Sequence, residues 1–269
     1  MKNLLMLCAV LAFALRASGQ AQVQTVPVVI TSDYYAQPKV LVLHALNNSG
    51  KDITGYIIII RHKNPDGTLD KGWSSSTTDM LSVFITAQMA KDPTASESIR
   101  QQNIGNDALY AAGNGILVAG EIRDMTLPGI NSGSELDITA GAVFYADGTY
   151  EKQDEDSFKH MLIHRQAQLR QMKDEDEVIR NTLADTTNDH PVATVLKELS
   201  KRHAEAMEKP GQGFFPIDLG NLKHLQQSQA YGEQKGKTER ERLTQYVEEQ
   251  EKRVELMTPH CHLEITLKQ

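Results

Sequence analysis

Residues 53–61 read Ile-Thr-Gly-Tyr-Ile-Ile-Ile-Ile-Arg. The run is short, and its β-branched side chains suit a buried pleated surface better than a helix. It stops at Asn64-Pro65-Asp66-Gly67, where Pro fixes φ and Gly accepts φ > 0, so a strand ends in a turn. Upstream, 39–47 (KVLVLHALN) is a second strand, closed by Asn47-Asn48-Ser49-Gly50. Downstream, Ile116 to Ile122 and Ser134 to Tyr145 read as strands, the latter ending on Asp147-Gly148; Val26 to Thr31 and Met80 to Thr86 are further candidates. Short strands, frequent turns and no interleaved helices predict an antiparallel sandwich over residues 22–152. Residues 88–114 interrupt the pattern. There Thr94-Ala95-Ser96-Glu97 has the spacing of a capping box, which predicts a short helix inserted at one end of the sandwich.

Two segments carry a resemblance. LNNSGKDITGY (46–56) together with AVFYADGTYEK (142–152) is similar to a group of secreted bacterial proteins of unassigned function. These resemble immunoglobulin-like or fibronectin-III-like β-sandwiches, with a strand, an Asn-Ser-Gly turn, a second strand, and a late strand ending in aromatic-x-Asp-Gly-Thr. The resemblance spans roughly residues 25–165. It implies an immunoglobulin-like fold and an envelope or extracellular setting, and it brings no catalytic residues with it. The cysteine pair of antibody-type domains is absent, so an adhesion role does not follow from the fold.

Beyond residue 152 the apolar period changes. One heptad register puts Phe158, Met172 and Ile179 at one seam position and Leu162, Leu169 and Leu183 at the other, with Arg165 and Asp176 interrupting. Asn188-Asp189-His190-Pro191 starts a second helix with Pro at its first position, and Val192, Val195, Leu196, Leu199, His203 and Met207 form its stripe before Pro210-Gly211 stops it. Leu243, Val247, Val254 and Met257 mark a last helix. Residues 262–268 (HLEITLK) alternate like a strand. The fold class expected is therefore α+β: a β-sandwich, then over 153–269 a helical hairpin or arm with a short C-terminal strand.

Residues 1–21 read as an export signal: Lys2, an apolar run from Leu4 to Leu15 too short to anchor in a bilayer, then small residues at Ala17-Ser18-Gly19 and Gly19-Gln20-Ala21. A secreted or periplasmic setting is expected, with no stable membrane span once the signal is removed. Of two cysteines, Cys8 lies in the signal, leaving Cys261 without an internal disulfide partner. Net charge is −7 overall and negative in each half, which argues against a nucleic-acid partner.

The chemical candidates are few. Gly232 to Thr238 imitates a phosphate loop, but its first glycine is out of place and no buried strand precedes it. His160 and His164, four apart on a helix, form one metal-ligand candidate; His260, Cys261 and His262 form another. The glutamate of a metalloprotease motif is missing between the first pair, and no metal site or cofactor is assigned. His203 on an apolar stripe reads as a packed histidine. The acidic runs 154–156 and 174–177 read as helix-start and solvated charge. Ser74 to Thr78 reads as a loop beside Trp73, which is either a recognition aromatic or a core residue. The expectation is a non-enzymatic exported binding or structural module, with an unidentified protein or envelope partner and helices that offer a surface for homo-oligomerisation. The alternative is a metal-dependent or other hydrolase assembled from scattered residues.

Overall fold

A computed structural model of the protein describes residues 26–35, 39–110, 116–128, 136–207 and 236–261. The expected signal (1–21), the C-terminal strand (262–268) with His262, Met207 as a side chain, the stop at Pro210-Gly211 and Gly232 lie outside the described residues. The chain is α+β, and its strands pair antiparallel in two sheets.

The first sheet has β1 (Val28–Tyr35), β2 (Val40–Asn47) and β5 (Ile122–Pro128), in the order β1-β2-β5. The second has β4 (Leu69–Asp79), β3 (Ile53–Lys63), β6 (Leu136–Tyr145) and β7 (Tyr150–Lys152), in the order β4-β3-β6-β7. Val28, Leu41, Leu43 and Ala45 from one sheet share a buried cluster with Tyr56, Ile58, Ile60 and Val143 from the other, so the sheets pack face to face. Every residue from Ile53 to Ile60 is buried, which alternation alone does not produce. Ile57 and Ile59 point away from the first sheet and meet Phe158, Met161 and Leu162 of α3 (Glu155–Ala184). Helix on one face and sheet on the other explain the unbroken apolar run. Burying each of those large side chains contributes roughly 1.5–3 kcal/mol.

The expected turns form at Gly50, Gly67 and Gly148, each with positive φ. The two motif segments meet there. Lys51 Nζ donates to Asp147 Oδ2 at 2.9 Å and to Thr149 Oγ1 at 3.0 Å, and lies 5.2 Å from the centre of the Tyr145 ring. The Thr149 hydroxyl, then Lys51, hold the Asp147 carboxyl down at about 2.

Five expectations about secondary structure are corrected. Met80 to Thr86 is not a strand: α1 runs Leu81–Ala90, with Leu81, Val83, Ile85, Ala87 and Met89 all buried. A helix covered on most sides has no polar face, so its sequence lacks a helical period. Ile116 to Ile122 is not a strand either; Leu117 makes an isolated bridge to Ile53, Gly120 turns the chain, and β5 begins at Ile122. Ser74 to Thr78 is not a loop but the heart of β4, paired with Tyr56 to Ile60. It is an edge strand whose hydroxyl side chains carry no alternation; the Trp73 side chain lies outside the described residues. Finally, helices do interleave with the strands: α1 and α2 (Glu97–Tyr110) both lie between β4 and β5. Ser96, rather than Thr94, caps α2 by accepting from Ile99 N at 3.2 Å.

Helix α3 continues past the sheet to meet α4 (Pro191–Met207) and α5 (Glu239–Met257). Val178 and Ile179 of α3 pack with Val192, Val195 and Leu199 of α4 and with Leu243 and Val247 of α5. Helix α5 runs back along α3. Arg240 donates to the carbonyls of Leu183 and Asp185 at the end of α3, while Cys261, just past a 3₁₀ turn over Thr258–His260, reaches Arg165 near its middle. The two polar interruptions of the heptad face inward: Arg165 is 0% exposed and Asp176 8%.

Glycine matters where α3 crosses the sheet. A Cβ at Gly55 meets Arg165 Nη2 at 2.6 Å, Met161 Sδ at 3.0 Å and the Thr78 carbonyl at 3.3 Å, whereas one at Gly105, inside α2, meets nothing. Thermal melts of two variants are expected to move in opposite directions. Gly55→Ala destabilises by about 1–3 kcal/mol through overpacking, and Gly105→Ala stabilises by roughly 0.5–1 kcal/mol through helix propensity. Equal melting temperatures for Gly55→Ala and the wild type contradict the close approach.

Candidate functional site

The candidate ligands fall along the middle of α3 and the turn that follows α5. His160 is exposed. His164, one turn on, is half-buried, and burial holds its imidazole below the usual histidine range. His260 is 7% exposed and packs edge-on against Phe84, with ring centres 5.8 Å apart; burial and then the Arg165 charge lower its affinity for a proton. The Cys261 thiol donates to the Arg165 carbonyl at 3.5 Å, and Gln166 Nε2 donates to the Cys261 carbonyl at 3.0 Å. Burial pushes that thiol up to about 11, which keeps it protonated at neutral pH and a poor nucleophile. The structure thus brings His260 and Cys261 onto the buried side of α3 and leaves His160 on its exposed side. Among the described residues, no three His, Cys, Asp or Glu side chains converge so as to hold a metal ion.

What they surround is Arg165, which the heptad pattern marked only as an interruption. Its Nε and Nη2 donate to the two oxygens of Asp79 at 3.0 and 2.8 Å, and Nη2 also donates to Thr54 Oγ1 at 3.3 Å. The guanidinium lies 4.6 Å from the centre of the Phe144 ring. Asp79 Oδ1 accepts from Leu81 N as well, at 3.1 Å, so the carboxylate ends β4, starts α1 and receives α3. This fork-to-fork pair joins a sheet to two helices and is a structural device.

A second buried acidic feature lies further along α3, where the run 174–177, expected to be solvated charge, instead turns Glu175 and Asp176 inward. Glu175 accepts from Tyr246 Oη at 3.0 Å and from Gln250 Nε2 at 2.8 Å. Asp176 Oδ1 has no hydrogen-bond partner. Burial first, then the neighbouring Glu175 charge, push the Asp176 carboxyl up to about 7.

Among the described residues a concave feature lies elsewhere, a cleft of about 800 Å³ between α5 and the corner joining α1 to α2. Its position follows from local chemistry. Asp92 accepts from Thr94 N at 2.8 Å and from Thr94 Oγ1 at 2.7 Å, which turns the chain between the helices. Thr238 and Glu241 cap α5 reciprocally, Glu241 Oε2 accepting from Thr238 N at 2.8 Å and Thr238 Oγ1 from Glu241 N at 3.2 Å. The threonine that imitated the end of a phosphate loop is therefore a helix cap. Met257 packs with Leu81, Ile85 and Ile99, and Arg253 Nη1 donates to Thr86 Oγ1 at 3.0 Å. With that face of α5 engaged, Glu248, Lys252, Glu255 and Leu256 line the opening. Met89 and Ile99 contribute apolar floor, and Lys252 reaches across to Asp92 Oδ2 at 3.5 Å. Sequence spacing located the buried stripe of α5 but could not pair its outer face with a corner some 150 residues earlier.

No family model matches the chain, and no curated protein matches it. Among solved structures it is similar to a hypothetical protein from Peptoclostridium difficile 630, at 13% identity over 52% of this chain and 91% of that one, with a TM-score of 0.25. A likeness that distant carries no argument about fold or function.

Two outcomes are expected of the buried charges. Removing either partner of the ion pair, as Arg165→Met or Asp79→Asn, costs about 3–5 kcal/mol because an uncompensated group is left inside, and the double variant loses less than the sum. Urea denaturation measures all three, and strict additivity contradicts direct coupling. For Asp176 the folded carboxyl holds its proton up to about 7, against 3.8 for an ordinary aspartate. The folded state therefore binds more protons than the unfolded chain inside that window, and this group's stabilisation declines as pH rises through it. Asp176→Asn removes that decline; an unchanged slope of stability against pH between those limits contradicts the assignment.

Proposed function

We propose that the protein is an exported, non-enzymatic binding module of the cell envelope or extracellular space. In this reading a fibronectin-III-like sandwich, residues 22–152, carries a folded-back helical arm, and the arm and the sandwich insertion together form a partner-binding cleft. The strand orders β1-β2-β5 and β4-β3-β6-β7 support the sandwich reading, since immunoglobulin-type folds distribute their antiparallel strands over two sheets in this manner. The cleft between α5 and the α1–α2 corner is the observation that carries the binding role. It combines apolar floor with charged rim, and its volume falls in the range of small-ligand and side-chain pockets. The heptad seam of α3 is buried within the chain at Phe158, Leu162, Arg165, Leu169, Asp176 and Ile179, which disfavours that seam as a surface for a second copy.

The test is comparative capture. Wild-type protein and a Glu248→Lys/Glu255→Lys variant, with matched circular dichroism, are immobilised and exposed to envelope extract. A component retained by the wild type and lost from the variant is the expected result. No difference between the two removes the cleft from the proposal.

A further inference from the structure

The outer face of the three-stranded sheet carries a pattern unrelated to the cleft. Strand β2 alternates strictly: Leu41, Leu43 and Ala45 enter the core while Val40, Val42, His44 and Leu46 face out. Register then sets rows across the sheet. Val29, Leu46 and Ile122 lie side by side, and Ile122 is 60% exposed. One row along, His44 is paired with Asp124, and Asp33 lies diagonal to it from β1. The imidazole bridges the two acids, with Nδ1 2.7 Å from Asp124 Oδ1 and Nε2 3.2 Å from Asp33 Oδ2. Both nitrogens donate only in the imidazolium, so the bridge holds one positive charge between two negative ones. The carboxylates remain open to solvent, with 66% of the Asp33 side chain and 63% of the Asp124 side chain exposed. Beyond them Val42 continues the apolar surface, and Tyr35, at the far end of β1, is 51% exposed. Among the described residues, none of the buried clusters includes these outward apolar side chains.

We propose that this face is a docking surface for a segment of a protein partner in which a Lys or Arg side chain stands between apolar ones. Charge complementarity selects that occupant. The central belt is net negative in either protonation state of His44, so it attracts a cation and repels phosphate-rich surfaces such as nucleic acid or anionic lipid. The apolar row on one side and Val42 on the other give the flanking side chains area to bury. A guanidinium or ammonium settling between Asp33 and Asp124 makes charge-assisted hydrogen bonds with oxygens that His44 leaves available.

The test uses a fluorescently labelled peptide of alternating lysine and valine, with its lysine-to-glutamate counterpart as control, read by anisotropy against the full chain. The wild type is expected to bind the lysine peptide in a salt-sensitive manner and to ignore the glutamate one. Asp33→Asn/Asp124→Asn and, separately, Ile122→Ser are each expected to weaken binding by about tenfold, as loss of a charge pair or of an apolar contact does. All the substituted side chains are largely exposed, and circular dichroism checks each variant; should one misfold, the other decides. The proposal is overturned if the wild type does not bind the lysine peptide, if the glutamate peptide binds equally, or if a folded variant binds as tightly as the wild type. It is overturned equally by self-association in sedimentation that Ile122→Ser abolishes, or by preferential binding to phosphatidylglycerol vesicles.

Discussion

The contact on which the architecture depends is the bidentate pair between Arg165 and Asp79. Its components come from a helix and from the last residue of an edge strand, and the carboxylate also starts the next helix. The pair is wholly interior on the arginine side, so its electrostatics are strong and its desolvation is costly. The cost is offset by company: a bond to Thr54, a cation–π contact with Phe144, and the close approach that Gly55 permits. These interactions fix where α3 lies on the sheet. That position then sets where α5 lies, because α5 packs along α3, and so determines the geometry of the cleft.

How much of this was legible in the amino acids depends on whether a feature is local. Strands β2, β3 and β6 and the turns at Gly50, Gly67 and Gly148 were readable, because β-branched runs and turn residues act over a few positions. The helices α3, α4 and α5 were readable from three-and-four spacing. Strand β4 was not, since an edge of serines and threonines has neither alternation nor a buried run. Helix α1 was misread for the opposite reason: apolar on most sides, it offers no period to separate helix from strand. Arg165 and Asp176 looked like defects in a seam. Their burial depends on partners far away in sequence, Asp79 for one and the α5 contacts of Glu175 for the other.

The paired motif of residues 46–56 and 142–152 has a physical explanation in the structure. One segment is the crossover from β2 in the first sheet to β3 in the second, the other is the β6–β7 hairpin, and Lys51, Asp147 and Thr149 bring them together, with Tyr145 beneath the ammonium and donating its hydroxyl to Glu151. Asn47 adds bonds to the carbonyls of Lys51 and Leu117. These side chains are occupied in closing one end of the two-sheet unit. The same residue types in a pocket would suggest chemistry; here they suggest a clasp. Likewise His260 and Cys261 are spent on packing near the middle of α3.

The distance along the chain between Asp79 and Arg165, 86 residues, has a consequence for biogenesis. A polypeptide emerging from its amino end completes β3 and β4 well before the arginine is synthesised. Until then the aspartate stays hydrated, and the groove over Ile57 and Ile59 stays uncovered. Closing so long a loop is entropically slow relative to hairpin formation. The nascent sheet therefore passes through an interval with a greasy, open flank, the kind of surface that holdase chaperones engage.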